Sequence, residues 1–334
     1  MSNDSLPLDA REIDAPLSVI DRAHRDLCLD EKFRVRRESA VKRAFFDYIN
    51  GFFSARGYVG RPDGDFTPKK PTNLIFGDEK SADILLTAHY DTCMNGSSVP
   101  SFFVTNTVGI VADVIIALFF LLGVAIAGTV LLAIFTTWYF ALIYFLAGVF
   151  WVTTGFVRVN KHNFNDNTSG CIALLELADR IASDFPELKD RIAFVFMDLE
   201  ESHLNGSKFL HKKLSAELPP EAYATKKLIN FDCIGGRDKI KTVYSNSDGG
   251  IELAKRINAA AGTDIKVYRS PLIATDSMPF KDIAAISYMS VSSFIFKELT
   301  VMKDIHSNRD NLLDTQMIRE YVSAVIAALP AEFN

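Results

Sequence analysis

The 334-residue sequence predicts an α/β fold, a three-layer sandwich in which helices cover both faces of a mixed, mostly parallel central sheet. Segments 83–88, 191–197 and 227–231 are nearly continuous apolar runs of strand length, which is typical of strands buried on both faces. Stretches of helical periodicity separate these runs. Strands that alternate with helices indicate a largely parallel sheet.

The remaining elements follow in chain order. Residues 1–15 are interpreted as a polar tail, residues 16–56 as helical, and residues 57–71 as a loop because Gly, Pro and Asp are frequent there. A strand at 73–76 precedes the first apolar run. Further helices are predicted at 169–181, 207–214, 250–261 and 316–328, and a further strand within 283–291.

One long apolar block interrupts this pattern. Between Asp91 and Arg158 the only charged residue is Asp113. The block is too long for one membrane span, since a span needs about 20 apolar residues. It divides into segments 107–125 and 129–152, which predicts a transmembrane helical hairpin within 102–157. The alternative is a pair of buried core helices, but a soluble core rarely needs so long a stretch with one charge.

Charge and cysteine content exclude several functions. The net charge is −5 and no basic stripe is present, so we expect no nucleic-acid partner. The four cysteines are scattered, which predicts neither a zinc knuckle nor a disulfide framework. Cys93, Cys171 and Cys233 flank the polar motifs described next and are interpreted as small packing residues.

The expected location is a membrane, crossed twice, with both ends of the hairpin on the cytoplasmic side. The N-terminal sequence lacks the basic and apolar regions of a signal peptide. Arg158 and Lys161 closely follow the second segment, which favours a cytoplasmic position. The sequence does not indicate an oligomeric state.

Acidic and histidine residues recur where predicted strands end. In a parallel sheet, ligands bind beyond the carboxyl ends of the strands. Imidazole and carboxylate groups suit zinc, and five of them would hold two ions if one carboxylate bridges. The metal-ligand candidates are His89, Asp166, Glu201, Asp232 and His306, and Asp91 and Glu200 lie beside them after the same strands.

Six short motifs resemble those of M28-type zinc aminopeptidases. HYDT, NDNTSG, LEES, FDCIG, TDSMPF and IHSNRD occur in that family's order, and the resemblance covers residues 73–100 and 160–328. It implies a zinc-exopeptidase-like hydrolase domain formed by 1–101 and 158–334, with 102–157 as an inserted transmembrane hairpin. It also implies two Zn²⁺ per chain.

The resemblance implies a role for each candidate, and the chemistry of the side chains agrees with it. Asp166 would bridge the metals, and Glu200 would be the general base that takes a proton from the attacking water. Asp91 would orient the His89 ring through its second nitrogen. The remaining metal ligands would be His89, Glu201, Asp232 and His306. Asp166 would also suit a helix N-cap, and His306 a packed core histidine.

Two positions depart from the family pattern. Ser277 stands where the family has His, and His203 stands where it usually has Gly.

We expect a membrane-anchored binuclear zinc aminopeptidase that hydrolyses peptide or related amide bonds, with substrates that are apolar or membrane-associated. The alternatives are a glutaminyl cyclase-like transferase with one zinc and a non-catalytic membrane scaffold of the same fold.

Overall fold

A computed structural model describes residues 17–68, 70–93, 102–105, 122–123, 126–131, 134, 138–155, 160–270, 272–294 and 296–333. Its strands are β1 (Gly60–Asp63), β2 (Asn73–Phe76), β3 (Ile84–His89), β4 (Phe102–Val104), β5 (Ile192–Met197), β6 (Lys227–Phe231), β7 (Ile240–Ser245), β8 (Lys266–Arg269), β9 (Ala284–Phe294) and β10 (Phe296–Lys303). Its α-helices are α1 (Val19–His24), α2 (Ser39–Ser54), α3 (Trp138–Gly155), α4 (Gly170–Asp184), α5 (Asn205–Glu217), α6 (Pro220–Ala224), α7 (Asp248–Ala261) and α8 (Thr315–Phe333). Shorter helical turns lie at Arg25–Leu29, Glu31–Phe33, Phe164–Ser169, Pro186–Arg191 and Met278–Phe280.

The strands form one mixed sheet. Its order is β1-β2-β5-β3-β6-β9-β10-β4, and β7 joins β9 and β8. The neighbours β5, β3, β6 and β9 are parallel, as are β7 and β8, whereas the other pairings are antiparallel. The predicted mixed sheet is confirmed, but "mostly parallel" holds only at its centre. Antiparallel neighbours such as β1–β2 and β9–β10 need only short connections, whereas parallel strands need a crossover.

The two faces of the sheet pack against different helices. On β3, Ile84 and Leu86 contribute to a core shared with α2, α4, α7 and α8. Leu85, which points to the opposite face, packs in a second core with Leu210 and Leu214 of α5. Helices therefore cover both faces, as predicted, and every residue of β3 and β5 is buried. This double burial is the reason that the central strands are continuous apolar runs in the sequence.

The segment before the sheet is tied to the loops at its carboxyl edge by buried cations. Arg36 is fully buried; its Nε donates to the Tyr90 carbonyl, and its Nη2 donates to Thr168 Oγ1 at 3.1 Å. Lys42 on α2 forms a buried ion pair with Asp198, the residue directly after β5. These contacts fix the chain on both sides of the site described below.

The apolar block is partly described. Its first residues, Phe102–Val104, are strand β4 and pair with β10, so they belong to the sheet and not to the predicted hairpin. The predicted span 107–125 lies outside the described residues except for Leu122 and Gly123, and the second span contains most of α3. Within the described parts of the chain, no helix combines the length and apolar character that crossing a membrane requires.

Candidate metal centre

The parallel strands bring the predicted residues to one edge of the sheet. His89 is the last residue of β3 and is paired in register with Met197, the last residue of β5. Glu200 and Glu201 follow β5, and Asp232 follows β6 directly. The backbone turns sharply after β5 and β6, where φ is positive, at 53° for Leu199 and 54° for Cys233. Such non-glycine conformations are costly and cluster at functional sites.

The first group of donors lies around His89. Its Nε2 is 3.2 Å from Asp166 Oδ1 and 3.7 Å from Asp232 Oδ1. All three side chains are buried, and their ligand atoms lie within 4.8 Å of one another. We call the group His89, Asp166 and Asp232 site A. One nitrogen and two oxygen donors at this spacing suit zinc.

The second group lies on the other side of Asp166. His306 Nε2 is 2.9 Å from Asp166 Oδ2 and 3.2 Å from Glu201 Oε2. We call the group Asp166, Glu201 and His306 site B. The two oxygens of Asp166 thus face different imidazoles, which is the arrangement that a bridging carboxylate needs. The structure therefore brings all five predicted ligands together.

Asp91 links site A to the two glutamates. Its Oδ1 lies 3.5 Å from His89 Nδ1 and accepts the Glu200 backbone N–H at 3.1 Å. Its Oδ2 accepts the Glu201 N–H at 3.3 Å. One buried carboxylate therefore lies beside the His89 ring and fixes the backbone of the Glu200–Glu201 pair. The orienting role of Asp91 stays a prediction, and its two contacts with backbone N–H groups were not indicated by the sequence.

Two further residues support the ligands and were not predicted. Asp310 accepts the N–H groups of Asn165, at 2.7 Å, and Asp166, at 3.0 Å, and so holds the backbone of the shared carboxylate. Thr275 Oγ1 donates to Asp232 Oδ2 at 2.9 Å. Asp310 lies within the IHSNRD motif and Thr275 within TDSMPF, which was the only sequence signal for either.

The electrostatics of the cluster favour bound cations. Burial lowers the pKa of His89, but nearby carboxylates, Glu200 foremost, outweigh it and raise the pKa well above its usual value. Burial likewise lowers the pKa of His306, and Glu201 and Asp166 reverse the effect. The carboxylates thus favour positive charge beside both imidazoles, and a divalent ion would supply that charge in place of protons.

The carboxylates of the cluster also favour bound cations. Among the described residues, the buried Glu201 Oε1 finds no hydrogen-bond donor. Burial of Asp166 raises its pKa, but contacts with His306 and His89 outweigh burial and lower it. Burial and the neighbouring carboxylates raise the pKa of Glu200 well above its usual value. The donor set of carboxylates and imidazoles therefore fits zinc.

A cavity of about 250 Å³ opens onto both groups. Its polar wall includes Glu200, Glu201 and His203, the last with a φ of 67° where the resembled family usually has glycine. Ser277, the other departure, is buried and accepts a hydrogen bond from Ser287 at 2.8 Å. Its hydroxyl is thus hydrogen-bonded to strand β9. The remaining wall is apolar and comprises Leu204, Ala274, Met289, Met302 and Ile305.

The fold and this edge of the sheet define a class: metal-dependent hydrolases built on a mixed α/β sheet. The sequence profile of peptidase family M28 matches residues 156–328, more than half of the chain, and the chain therefore belongs to this family. The predicted resemblance is confirmed, and the protein is a zinc-dependent hydrolase. No curated protein sequence matches the chain closely enough to count as a relative.

Solved structures share the fold. A Zn-dependent exopeptidase from Parabacteroides distasonis superimposes with a TM-score of 0.58 at 17% identity, covering 94% of this chain and 98% of that one. A glutaminyl cyclase from Bacteroides thetaiotaomicron gives 0.59 at 16% identity, with 94% and 98% covered. A leucine aminopeptidase precursor from the same organism gives 0.58 at 16%, with 94% and 98% covered. At these identities the likeness concerns the fold alone.

Proposed function

We propose that the protein is a two-zinc aminopeptidase that releases N-terminal residues from peptides. The observation that carries the proposal is the position of Asp166, whose Oδ1 faces His89 and whose Oδ2 faces His306. Each oxygen belongs to a separate donor group, so Asp166 would contribute one oxygen to each of two cations. The proposal assigns one zinc to site A and one to site B.

The chain's own residues divide the chemical work. Bound zinc would polarise the scissile carbonyl and acidify a water molecule. Glu200 faces the cavity beside both sites, accepts the proton of the attacking water and returns it to the departing amine. Asp91 keeps Glu200 in place through its backbone N–H and keeps the His89 ring oriented. Positioned proton transfer of this kind contributes about 10²–10⁴-fold in rate.

The apolar wall of the cavity supports a substrate preference. Leu204, Met289, Met302 and Ile305 offer hydrocarbon and thioether surface beside the metal sites. A substrate residue such as leucine would bury its side chain there, which is worth about 1.5–3 kcal/mol relative to solvent exposure. We expect N-terminal leucine to be preferred over glycine by about 10- to 150-fold in kcat/KM.

The experiment that tests the proposal combines metal content with turnover. The full chain is purified in detergent, its zinc is measured by mass spectrometry, and leucyl and glycyl chromogenic amides are supplied. We expect two zinc ions per chain and a fall in kcat of about 10²–10⁴-fold for Glu200→Gln, with zinc retained. Glu252→Gln, on the exposed face of α7, is the matched control. Equal turnover by wild type and Glu200→Gln would refute the assignment of the base.

The same measurements, with an N-terminal glutaminyl peptide added to the substrates, separate the alternatives. A glutaminyl cyclase-like transferase would bind one zinc and cyclise N-terminal glutaminyl peptides in place of hydrolysing them. A scaffold would be inert towards all these substrates. The presence of two complete donor groups favours the two-zinc peptidase over both.

We further propose that residues 106–157 attach the enzyme to a lipid bilayer, with the hydrolase domain in the cytoplasm. Support comes from the single charge of the block and from its described side chains, because Ile126, Ile134 and Ile143 are each more than half exposed. Gly128 lies so close to Tyr144 that a Cβ there would be 2.5 Å from the ring, as in two helices packed as a hairpin. The substrates would then be apolar peptides or peptides presented at the membrane surface.

Vesicle flotation tests the membrane proposal. The full chain is expected to float with phosphatidylcholine vesicles, whereas a variant with a short linker in place of 106–157 is expected to stay in the dense fraction and still bind zinc. A full chain that remains in the dense fraction would refute attachment. Equal turnover of soluble and vesicle-bound peptides would refute the substrate preference.

A further inference from the structure

Cys93 lies beside site B. It follows β3 by four residues and is only 3% exposed. Its Sγ and the ligand atoms of Glu201 and His306 lie within 4.8 Å of one another. The sequence had suggested a packing residue, but a packing residue would not need to direct its sulfur at a carboxylate and an imidazole.

The other cysteines near the centre behave differently. Cys171 is buried on α4, and its Sγ donates to the His89 carbonyl at 3.4 Å. Cys233 lines the cavity and has a side-chain hydrogen bond with Asp232, but its Sγ belongs to no described group of ligand atoms. Cys93 has a side-chain hydrogen bond with His306, and its Sγ also lies within 4.8 Å of a ligand atom of Glu201. Among the described cysteines, Cys93 is thus the one whose sulfur is placed with metal-ligating atoms.

We propose that the Cys93 thiolate is a ligand of the zinc in site B, together with Glu201, His306 and the shared Asp166. The inference rests on the two-zinc centre proposed above and adds a residue to it. Thiolate is a strong zinc ligand and pairs well with imidazole and carboxylate donors. On binding, the thiol exchanges its proton for the metal and the proton passes to solvent, so no oxidant or reductant is needed.

The additional ligand makes the two sites unequal. Site B would have four protein donors, which completes the tetrahedral set typical of closed zinc sites. Site A would have three, from His89, Asp166 and Asp232, which leaves a position open to water or substrate, as in catalytic zinc sites. We infer that site A carries the reacting groups and that site B holds Asp166 and Glu201 in place.

Cobalt(II) substitution tests the proposal without relying on activity. The zinc-free full chain is titrated with Co²⁺ while the visible d–d bands and the near-ultraviolet thiolate-to-cobalt charge-transfer band are recorded. We expect two equivalents to bind and the charge-transfer band to appear with one of them. The band is expected to be lost in Cys93→Ser and retained in Cys233→Ser, the matched control at the cavity wall.

The outcomes distinguish the two proposals. Two bound equivalents without a charge-transfer band, or with a band that survives in Cys93→Ser, would overturn ligation by Cys93 and leave the two-metal centre intact. A single bound equivalent would overturn the two-metal centre. In that case a band lost in Cys93→Ser would still support the thiolate ligand, and no band would overturn it as well. Circular dichroism of the zinc-free variants checks that they fold.

Discussion

Asp310 offers a test of how strongly the structure around Asp166 controls metal binding. Each of its oxygens accepts one backbone N–H, from Asn165 and from Asp166. In Asp310→Asn one oxygen becomes an NH₂ group, so one acceptor is lost and a donor faces a donor. A buried N–H that loses its acceptor costs about 1–3 kcal/mol. If this cost is relieved by movement of the Asp166 backbone away from the metal sites, zinc affinity falls by about 5- to 150-fold.

The assay is a competition for zinc against a chromogenic chelator, analysed for the two binding steps separately. Because Asp166 serves both sites, we expect both dissociation constants to rise in Asp310→Asn. Asp282→Asn is the matched control, since Asp282 is exposed and bonds to His211 and Tyr223 away from the centre. The reasoning is refuted if folded Asp310→Asn binds both zinc ions as tightly as the wild type.

Three further predictions concern stability. Thr275→Val keeps the side-chain volume but leaves the buried Asp232 Oδ2 without its donor, so we expect a loss of about 1–3 kcal/mol in the urea unfolding of the zinc-free protein. Lys42→Met leaves Asp198 as an unpaired buried charge and is expected to cost about 3–5 kcal/mol in the same measurement. Burial raises the pKa of Glu332, but hydrogen bonds from Arg256 and Lys227 outweigh it and lower the pKa. Its stabilisation is therefore present above the unfolded-state pKa and lost as pH falls through the lower folded pKa, so the Tm deficit of Glu332→Gln should be largest near neutral pH and disappear in acid.

Exposed positions supply the controls. Thr225→Val and Lys255→Met change the same chemical groups on the surface and are expected to shift the free energy of unfolding by less than about 0.5 kcal/mol. Glu252→Gln should leave the pH dependence of Tm almost unchanged, because surface ion pairs contribute little. A buried variant that behaves like its surface control would show that the corresponding contact does not stabilise the fold.

The central fold could be predicted because burial leaves a direct trace in the sequence. The strands β3, β5 and β6 are apolar on both faces, and each is followed by the polar residues that meet at the sheet edge. Edge strands leave a weaker trace. β1 has the sequence Gly-Arg-Pro-Asp and resembles a loop, and β8 is exposed or half-buried along its length. Both were missed.

The candidate ligands could be predicted from type and order, but their supports could not. Asp310 acts through backbone N–H groups about 145 residues away, a contact that only the fold creates. Cys93 looked like a packing residue because its partners, Glu201 and His306, lie far along the chain. The assignment of ligand roles to the five predicted residues itself stays a prediction until metal is measured.

The buried hydrogen bonds of Arg36 limit how the chain can be shortened without loss of the metal centre. The family profile begins at residue 156, yet His89 and Asp91 lie upstream of it, and Arg36 joins their loop to Thr168 inside the matched region. A fragment of 156–328 would carry the glutamates, Asp166 and Asp232 but would lack His89, one of the three ligands of site A. Recombination between related genes at the profile boundary would therefore transfer part of the sheet and most of the ligands without a complete metal centre. A functional exchange between relatives has to include the N-terminal segment as well.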